Sequence, residues 1–280
     1  MKNKTYVITG ATSGIGKALT EVLAKDNIVF AGYRSGGKSG GKSGGKLEAL
    51  KSISENIYPF YVDYAKPETI HEAVEYIKSK CNKIDTLINI AGCVVAGPVE
   101  KLEMTEVRRQ FDVNVFGHLE MTQGLIDYLE NGKIINVSSM ASFGVFPFIA
   151  PYCASKRCLD MFFNSLLIEN KKNIKVVSIK PGVITTPLWE KSINENSKYL
   201  DRCKGYEKEM DYVLKNAQKN ETHGLSADKV VEVIIKADSA KNPKLSYTVG
   251  KDAFMAHLIS NLPQSLINKI VKLGIKLRVK

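Results

Sequence analysis

The stretch TYVITGATSGIGKALTEVLA, residues 5–24, decides the fold. It opens with a short run of β-branched and aromatic side chains, breaks at glycines and resumes with helix formers, the pattern of a strand turning directly into a helix. Gly10, Gly14 and Gly16 fall in the turn. Glycine takes positive φ without a Cβ penalty, and the N–H groups at a helix start favour an anion. The spacing is G-x-x-x-G-x-G rather than the commoner G-x-G-x-x-G, so its place after the first strand gives it meaning. Gly10, Thr12, Ser13, Gly14, Ile15 and Gly16 are therefore candidate contacts for the pyrophosphate of a dinucleotide.

Outward from this unit the same alternation continues. Strands are expected near 5–9, 28–32, 57–62, 84–90, 133–138 and 174–180, with helices near 15–25, 67–80, 104–130 and 153–170 between them. Right-handed βαβ crossovers then give a parallel sheet covered by helices on both faces, and a short strand near 245–249 closes its edge. The second strand ends IVFAGYR, placing Tyr33 and Arg34 where an acid would otherwise bind the ribose hydroxyls of NAD(H). A neutral residue followed by a guanidinium suits a 2′-phosphate, so NADP(H) is favoured, with NAD(H) as the alternative.

The chemistry is expected in SSMASFGVFPFIAPYCASK, residues 138–156. Tyr152 and Lys156 stand four apart on a helix and share a face. An ammonium beside a phenol favours the phenolate and brings it toward useful acid/base strength. Ser139 ends the fifth strand, at the sheet edge where ligands of open α/β folds bind, and can hydrogen-bond the substrate oxygen. Phe143, Val145, Phe146, Phe148 and Ile149 are read as one apolar pocket wall, which points to a lipophilic carbonyl or alcohol.

With these residues in view, the chain resembles the short-chain dehydrogenase/reductase superfamily. TGATSGIG (9–16), NIAG (89–92), Asn114 in FDVNVFG, Ser139, YCASK (152–156) and PGVITT (181–186) match its motifs in order over about residues 4–250. The resemblance implies a catalytic set of Ser139, Tyr152, Lys156 and Asn114, the last holding a water that relays protons to Lys156. It further implies that Asp63 contacts the adenine, and that Asn89, Ala91 and Gly92 support the adenosine side and the central sheet. Lys156 would also bind the nicotinamide ribose, while Pro181, Gly182, Val183 and Thr186 orient the carboxamide ring. Two departures stand out: NIAG in place of N-N-A-G, and a threefold SGGK repeat at 35–46 that lengthens the loop after Arg34. That polar repeat cannot bury an apolar face and is expected to be a mobile loop.

The expected fold is thus a single Rossmann-type domain over 1–250 with strand order 3-2-1-4-5-6-7, a substrate lid over 187–224 and a C-terminal extension over 251–280. The tail SYTVGKDAFMAHLISNLPQSLINKIVKLGIKLRVK resembles the extension of the retinol- and 17-beta-hydroxysteroid-dehydrogenase-like branch. No acid follows Asp252, whereas Lys269, Lys272, Lys276, Arg278 and Lys280 accompany Leu266, Ile270 and Leu273. Such a basic amphipathic segment suits an anionic membrane surface, although packing of its apolar side beside the cleft or across a dimer contact is the reading preferred.

Composition sets the remaining bounds. The net charge of +11 raises nucleic acid as a partner, but the basic residues are spread along the chain and no nucleic-acid motif appears, so none is expected. Five cysteines without a C-x-x-C pair fit reduced thiols, and His71, His118, His223 and His257 are too scattered for a metal site. With no secretory start and no long apolar run, a cytoplasmic location is expected. The function expected is carbonyl/alcohol interconversion on a lipophilic small molecule such as a steroid, retinoid or lipid-derived ketone, and the resemblance implies a homodimer or homotetramer paired through the helices near 104–130 and 153–170. The competing readings are a 3-oxoacyl-thioester reductase of fatty-acid synthesis and a catalytically silent dinucleotide-binding regulator.

Overall fold

In the structure, a computed structural model, residues 2–34, 48–186, 188, 192 and 202–278 are described, without the side chains of residues 220 and 221. The SGGK repeat and most of the first half of the expected lid lie outside them. The first strand, β1 (Thr5–Ile8), sits in the middle of the sheet, with Tyr6, Val7 and Ile8 all fully buried. Being covered on both faces, it reads as a continuous apolar run, as buried parallel strands do. It pairs in parallel with β2 (Ile28–Tyr33) and with β4 (Thr86–Asn89). β3 (Ile57–Tyr61), β5 (Lys133–Val137), β6 (Lys175–Pro181) and β7 (Ser246–Val249) complete an all-parallel sheet in the expected order 3-2-1-4-5-6-7.

Successive strand side chains point to opposite faces, so each strand feeds two cores. On one face Tyr6, Ile8, Val29 and Ala31 pack against α1 (Gly14–Leu23) and α7 (Ala227–Ser239). On the other, Val7 and Phe30 meet α2 (Pro67–Lys78), α4 (Gly117–Leu125) and α5 (Ala150–Glu169). The single helix expected near 104–130 is divided: α3 (Met104–Phe111) leads through a π turn at Asp112–Phe116 into α4 and ends in a 3₁₀ turn. Such a turn inserts a residue into the helical ladder, which apolar periodicity does not reveal. The helices α6 (Glu207–His223) and α7, together with α8 (Lys251–Ile259) and α9 (Gln264–Arg278), come after β6 in the chain.

At the amino edge of the sheet, Asp238 in the last turn of α7 is 2 % exposed. Its carboxylate accepts hydrogen bonds from Tyr6 Oη at 2.8 Å and Thr86 Oγ1 at 2.6 Å, and pairs with Lys4 Nζ at 3.2 Å. Truncation would leave buried donors on two strands without an acceptor. Asp238→Ala is therefore expected to cost about 3 kcal/mol, read as a lower urea midpoint at unchanged slope.

Candidate active site

The strand order reverses between β1 and β4, and at their carboxyl ends the loops part to leave a cavity of about 520 Å³. Each of the first six strands delivers a short segment to it. β1 supplies Gly10, Thr12, Ser13, Gly14 and Ile15, β2 supplies Tyr33 and Arg34, and Asp63 follows β3. Ala91 and Gly92 follow β4, Ser139 follows β5, and Pro181, Gly182, Val183 and Thr186 follow β6. Tyr152 and Lys156 reach in from α5. Three expected residues do not line the cavity. Gly16 packs beneath it, Asn89 donates to Asn136 Oδ1 at 2.8 Å inside the sheet, and Asn114 stands behind Gly92.

The first loop is shaped for an anion. Gly10 and Gly14 take φ of 67° and 52°. A Cβ on Gly16 would stand 2.2 Å from the Gly10 carbonyl oxygen, so only glycine lets the helix start this close to the strand exit. The first turn of α1 carries no acidic residue, and its N-cap Ser13 does not cap it through the side chain. Its N–H groups and positive end are thus presented at the cavity, and the residues present fit a pyrophosphate. Asp63 also has a local task, as its Oδ1 accepts the Ala65 N–H at 3.2 Å.

The Ser139, Tyr152 and Lys156 side chains are all buried. Tyr152 and Lys156 are 8 % and 3 % exposed. Lys156 Nζ donates to the Val137 carbonyl at 2.9 Å and lies 5.9 Å from the centre of the Tyr152 ring. Burial pushes the Tyr152 phenol up to about 12, against the pull of its hydrogen bond with Ser139. Burial likewise lowers Lys156 to about 8, with the Asp160 carboxylate one turn further along α5 opposing it. The expected lowering of the phenol by its lysine is not seen: burial, helped by the neighbouring Cys153 and Cys93 thiols, moves the group the other way. Asn114, in the π turn, accepts the Cys93 N–H at 2.9 Å and donates to the Cys93 carbonyl and to Ser155 Oγ, both at 3.0 Å. It thereby ties the β4 exit to α5 beside the lysine.

Of the five residues expected to form an apolar wall, only Phe146 and Ile149 line the cavity. They join Val94, Ala141 and Leu188 around Tyr152. Phe143 stacks instead on His257 at 4.8 Å, Val145 is exposed, and Phe148, with φ of 66°, faces Tyr206. Sequence reasoning missed Asp252, whose Oδ2 accepts the Val183 N–H at 2.7 Å and secures the loop after β6 to α8. It also missed His118, buried behind Ala91 and bonded to that residue's carbonyl at 2.8 Å. Burial and the Lys156 charge press the imidazole down to about 3, so it is neutral and its Nε2 donates. Neither residue carries a local sequence signal.

Sheet order and a cavity at the switch point define the class of doubly wound dinucleotide-binding folds. A family model described as short chain dehydrogenase matches residues 4–197. The chain is 31% identical over 281 residues to an NADPH-dependent 3-dehydrocapnine reductase of Ornithobacterium rhinotracheale, covering 94% of each. It is 28% identical over 288 residues to a 3-ketodihydrosphingosine reductase of Bacteroides thetaiotaomicron, covering 99% of this chain and 100% of that one. A short chain dehydrogenase from Burkholderia cenocepacia, solved in complex with NADP, superimposes with a TM-score of 0.74 at 21% identity over 96% of this chain and 98% of that one. The chain belongs to the short-chain dehydrogenase/reductase superfamily and is an oxidoreductase of the NAD(P)H-using kind.

Proposed function

We propose that this protein is an NADP(H)-dependent reductase of a lipophilic ketone or aldehyde, with Tyr152 as the proton donor. One observation carries the reading: Ser139, Tyr152 and Lys156 line the same cavity as the glycine turn and the loop after β6. The cofactor, when bound, supplies the hydride. Gly10 to Gly16 would hold its pyrophosphate, Asp63 its adenine end, and Pro181 to Thr186 its carboxamide. Ser139 orients the substrate oxygen through its hydroxyl. Tyr152 gives that oxygen a proton, and Lys156, cationic below about pH 8, steadies the phenolate left behind. Asn114 fixes the turn beside Lys156, where a water would replace the proton.

The apolar lining at Val94, Ala141, Phe146, Ile149 and Leu188 supports a lipophilic substrate. Reductase names among the relatives support the direction. We place the cofactor-binding domain at 1–250, with 251–280 as an extension. Exposed Met104 and Phe116, with Met161, Phe162 and Ile168 on α5, support pairing of subunits through these helices. The uncombined cysteines accord with a cytoplasmic setting.

Two measurements test this. NADPH consumption across a panel of lipophilic ketones, small aldehydes and acyl thioesters should show turnover with the lipophilic members, and uniform inactivity would refute the reading. Arg34 lines the cavity beside Tyr33, in the place suited to a 2′-phosphate. Arg34→Ala is therefore expected to raise the KM for NADPH roughly 100-fold and leave that for NADH within about twofold. Equal effects on both would mean that Arg34 does not select the cofactor.

A further inference from the structure

The last helix has three faces. With 3.6 residues per turn, Ile267, Val271 and Ile275 share one side of α9, and this is the side that packs: Ile267 is 5 % exposed and the other two are half-buried. A second side carries Leu266, Ile270, Leu273 and Leu277, exposed by 42, 45, 59 and 61 %. A third carries exposed Lys269, Lys272 and Lys276. The apolar side expected to pack beside the cleft or across a dimer contact faces outward, and a different stripe of the same helix meets the body. Leu262, Leu258, Met255 and Phe254, which precede it in the chain, are exposed as well. Soluble surfaces carry single apolar side chains freely, but a row of four along one helix side, flanked by one sign of charge, marks a contact.

We propose that this stripe docks the protein onto an anionic lipid bilayer, with the leucines in the acyl boundary and the lysines at the headgroups. The charge pattern selects the occupant. No acidic residue follows Asp252, and the segment holds Lys269, Lys272, Lys276, Arg278 and Lys280. A second copy meeting this face about a two-fold axis would set lysines against lysines with no carboxylate of the segment between them. An anionic bilayer takes both the row and the charge beside it. No described helix is long and apolar enough to cross a membrane, so the contact is peripheral.

The stripe also adjoins the reaction centre. His257 of α8 stacks on Phe143, in the 3₁₀ turn that Ser139 starts, and Asp252 at the head of α8 holds the loop after β6. Docking through α8 and α9 sets the surface that meets lipid next to the elements that frame the cavity.

The test is co-sedimentation of the full chain with vesicles and needs no turnover assay. On phosphatidylcholine vesicles with about 30 % phosphatidylglycerol, binding is expected to be at least about tenfold tighter than on phosphatidylcholine alone, and to weaken with salt. The four exposed side chains make few contacts within the protein, so Leu266→Ser, Ile270→Ser, Leu273→Ser and Leu277→Ser together should keep its melting temperature. That variant should lose about tenfold or more of the binding. Lys269→Gln, Lys272→Gln and Lys276→Gln together should abolish the preference for phosphatidylglycerol. Wild-type failure to bind the anionic vesicles, or unchanged binding by the serine variant, overturns the proposal. A dimer in sedimentation equilibrium that the serine substitutions dissociate, with no vesicle binding, would assign the stripe to a second copy instead.

Discussion

Tyr152→Phe is expected to lower carbonyl turnover by roughly 1,000-fold while leaving NADPH affinity within about twofold. The substitution removes one oxygen from a ring packed among Val94, Ala141 and Cys153, so neither the apolar cluster nor the glycine turn is disturbed. What it removes is the hydroxyl that the proposed set uses as its proton donor. Ser139 is a weak acid already accepting the Ala141 N–H at 3.1 Å, and Lys156 is held by the Val137 carbonyl. Stopped-flow turnover with a responsive ketone, beside fluorescence titration of NADPH, separates the two effects. A variant that turns over normally would remove Tyr152 from the chemistry.

Lys156→Met should cost roughly 100-fold or more in turnover and erase a limb of the pH profile. In the native protein the phenol stays protonated across the working range, since burial holds it near 12. The group that titrates is the lysine, lowered by burial to about 8. In the proposed mechanism the cationic form steadies the developing phenolate, so reductive kcat should be level below about pH 8 and fall above it as the ammonium deprotonates. The stability sign runs the other way. Because the folded value lies below the ordinary 10.5, the unfolded chain binds the extra proton, and Lys156 burdens the fold at neutral pH. That burden is relieved as pH rises from about 8 toward 10.5. Lys156→Met should therefore melt no lower than wild type at pH 7, which distinguishes lost chemistry from lost structure. A pH profile unchanged by the substitution would contradict the role given to the ammonium.

Much of the architecture was legible because buried parallel strands write themselves as β-branched runs. TYVI, IVFAGY and KVVSIKP each sit within a residue or two of where periodicity puts them. The glycine turn was legible for a different reason: a Cβ at Gly16 has no room, so the residue type records the geometry. Where the sequence was silent, the cause is distance along the chain. Asp238 looks like a solvated acid at the end of an amphipathic helix, and only the sheet brings Tyr6 and Thr86 to it, 232 and 152 residues away. Asp252 is similar, since its partner Val183 is 69 residues off. The π turn at Asn114 leaves no mark because its neighbours still follow a helical apolar rhythm. The helix α7 was not among the expected ones, although Val230, Val231, Ile234 and Ala237 keep helical spacing and form the face that packs on the sheet. In α9 the difficulty was surplus: two apolar stripes compete, and sequence alone does not say which one the body takes.

The central claim is that one cavity brings a nicotinamide hydride and the Tyr152 proton to the same carbonyl group. It is tested most directly by giving the protein NADPH deuterated at the transferring C4 position and a lipophilic ketone, then analysing the product by mass spectrometry and NMR. The account predicts one deuterium on the former carbonyl carbon with the wild type and essentially none in the same time with Tyr152→Phe. Bound NADPH that never passes its label to any ketone of the panel, or equal labelling by the two proteins, would contradict it.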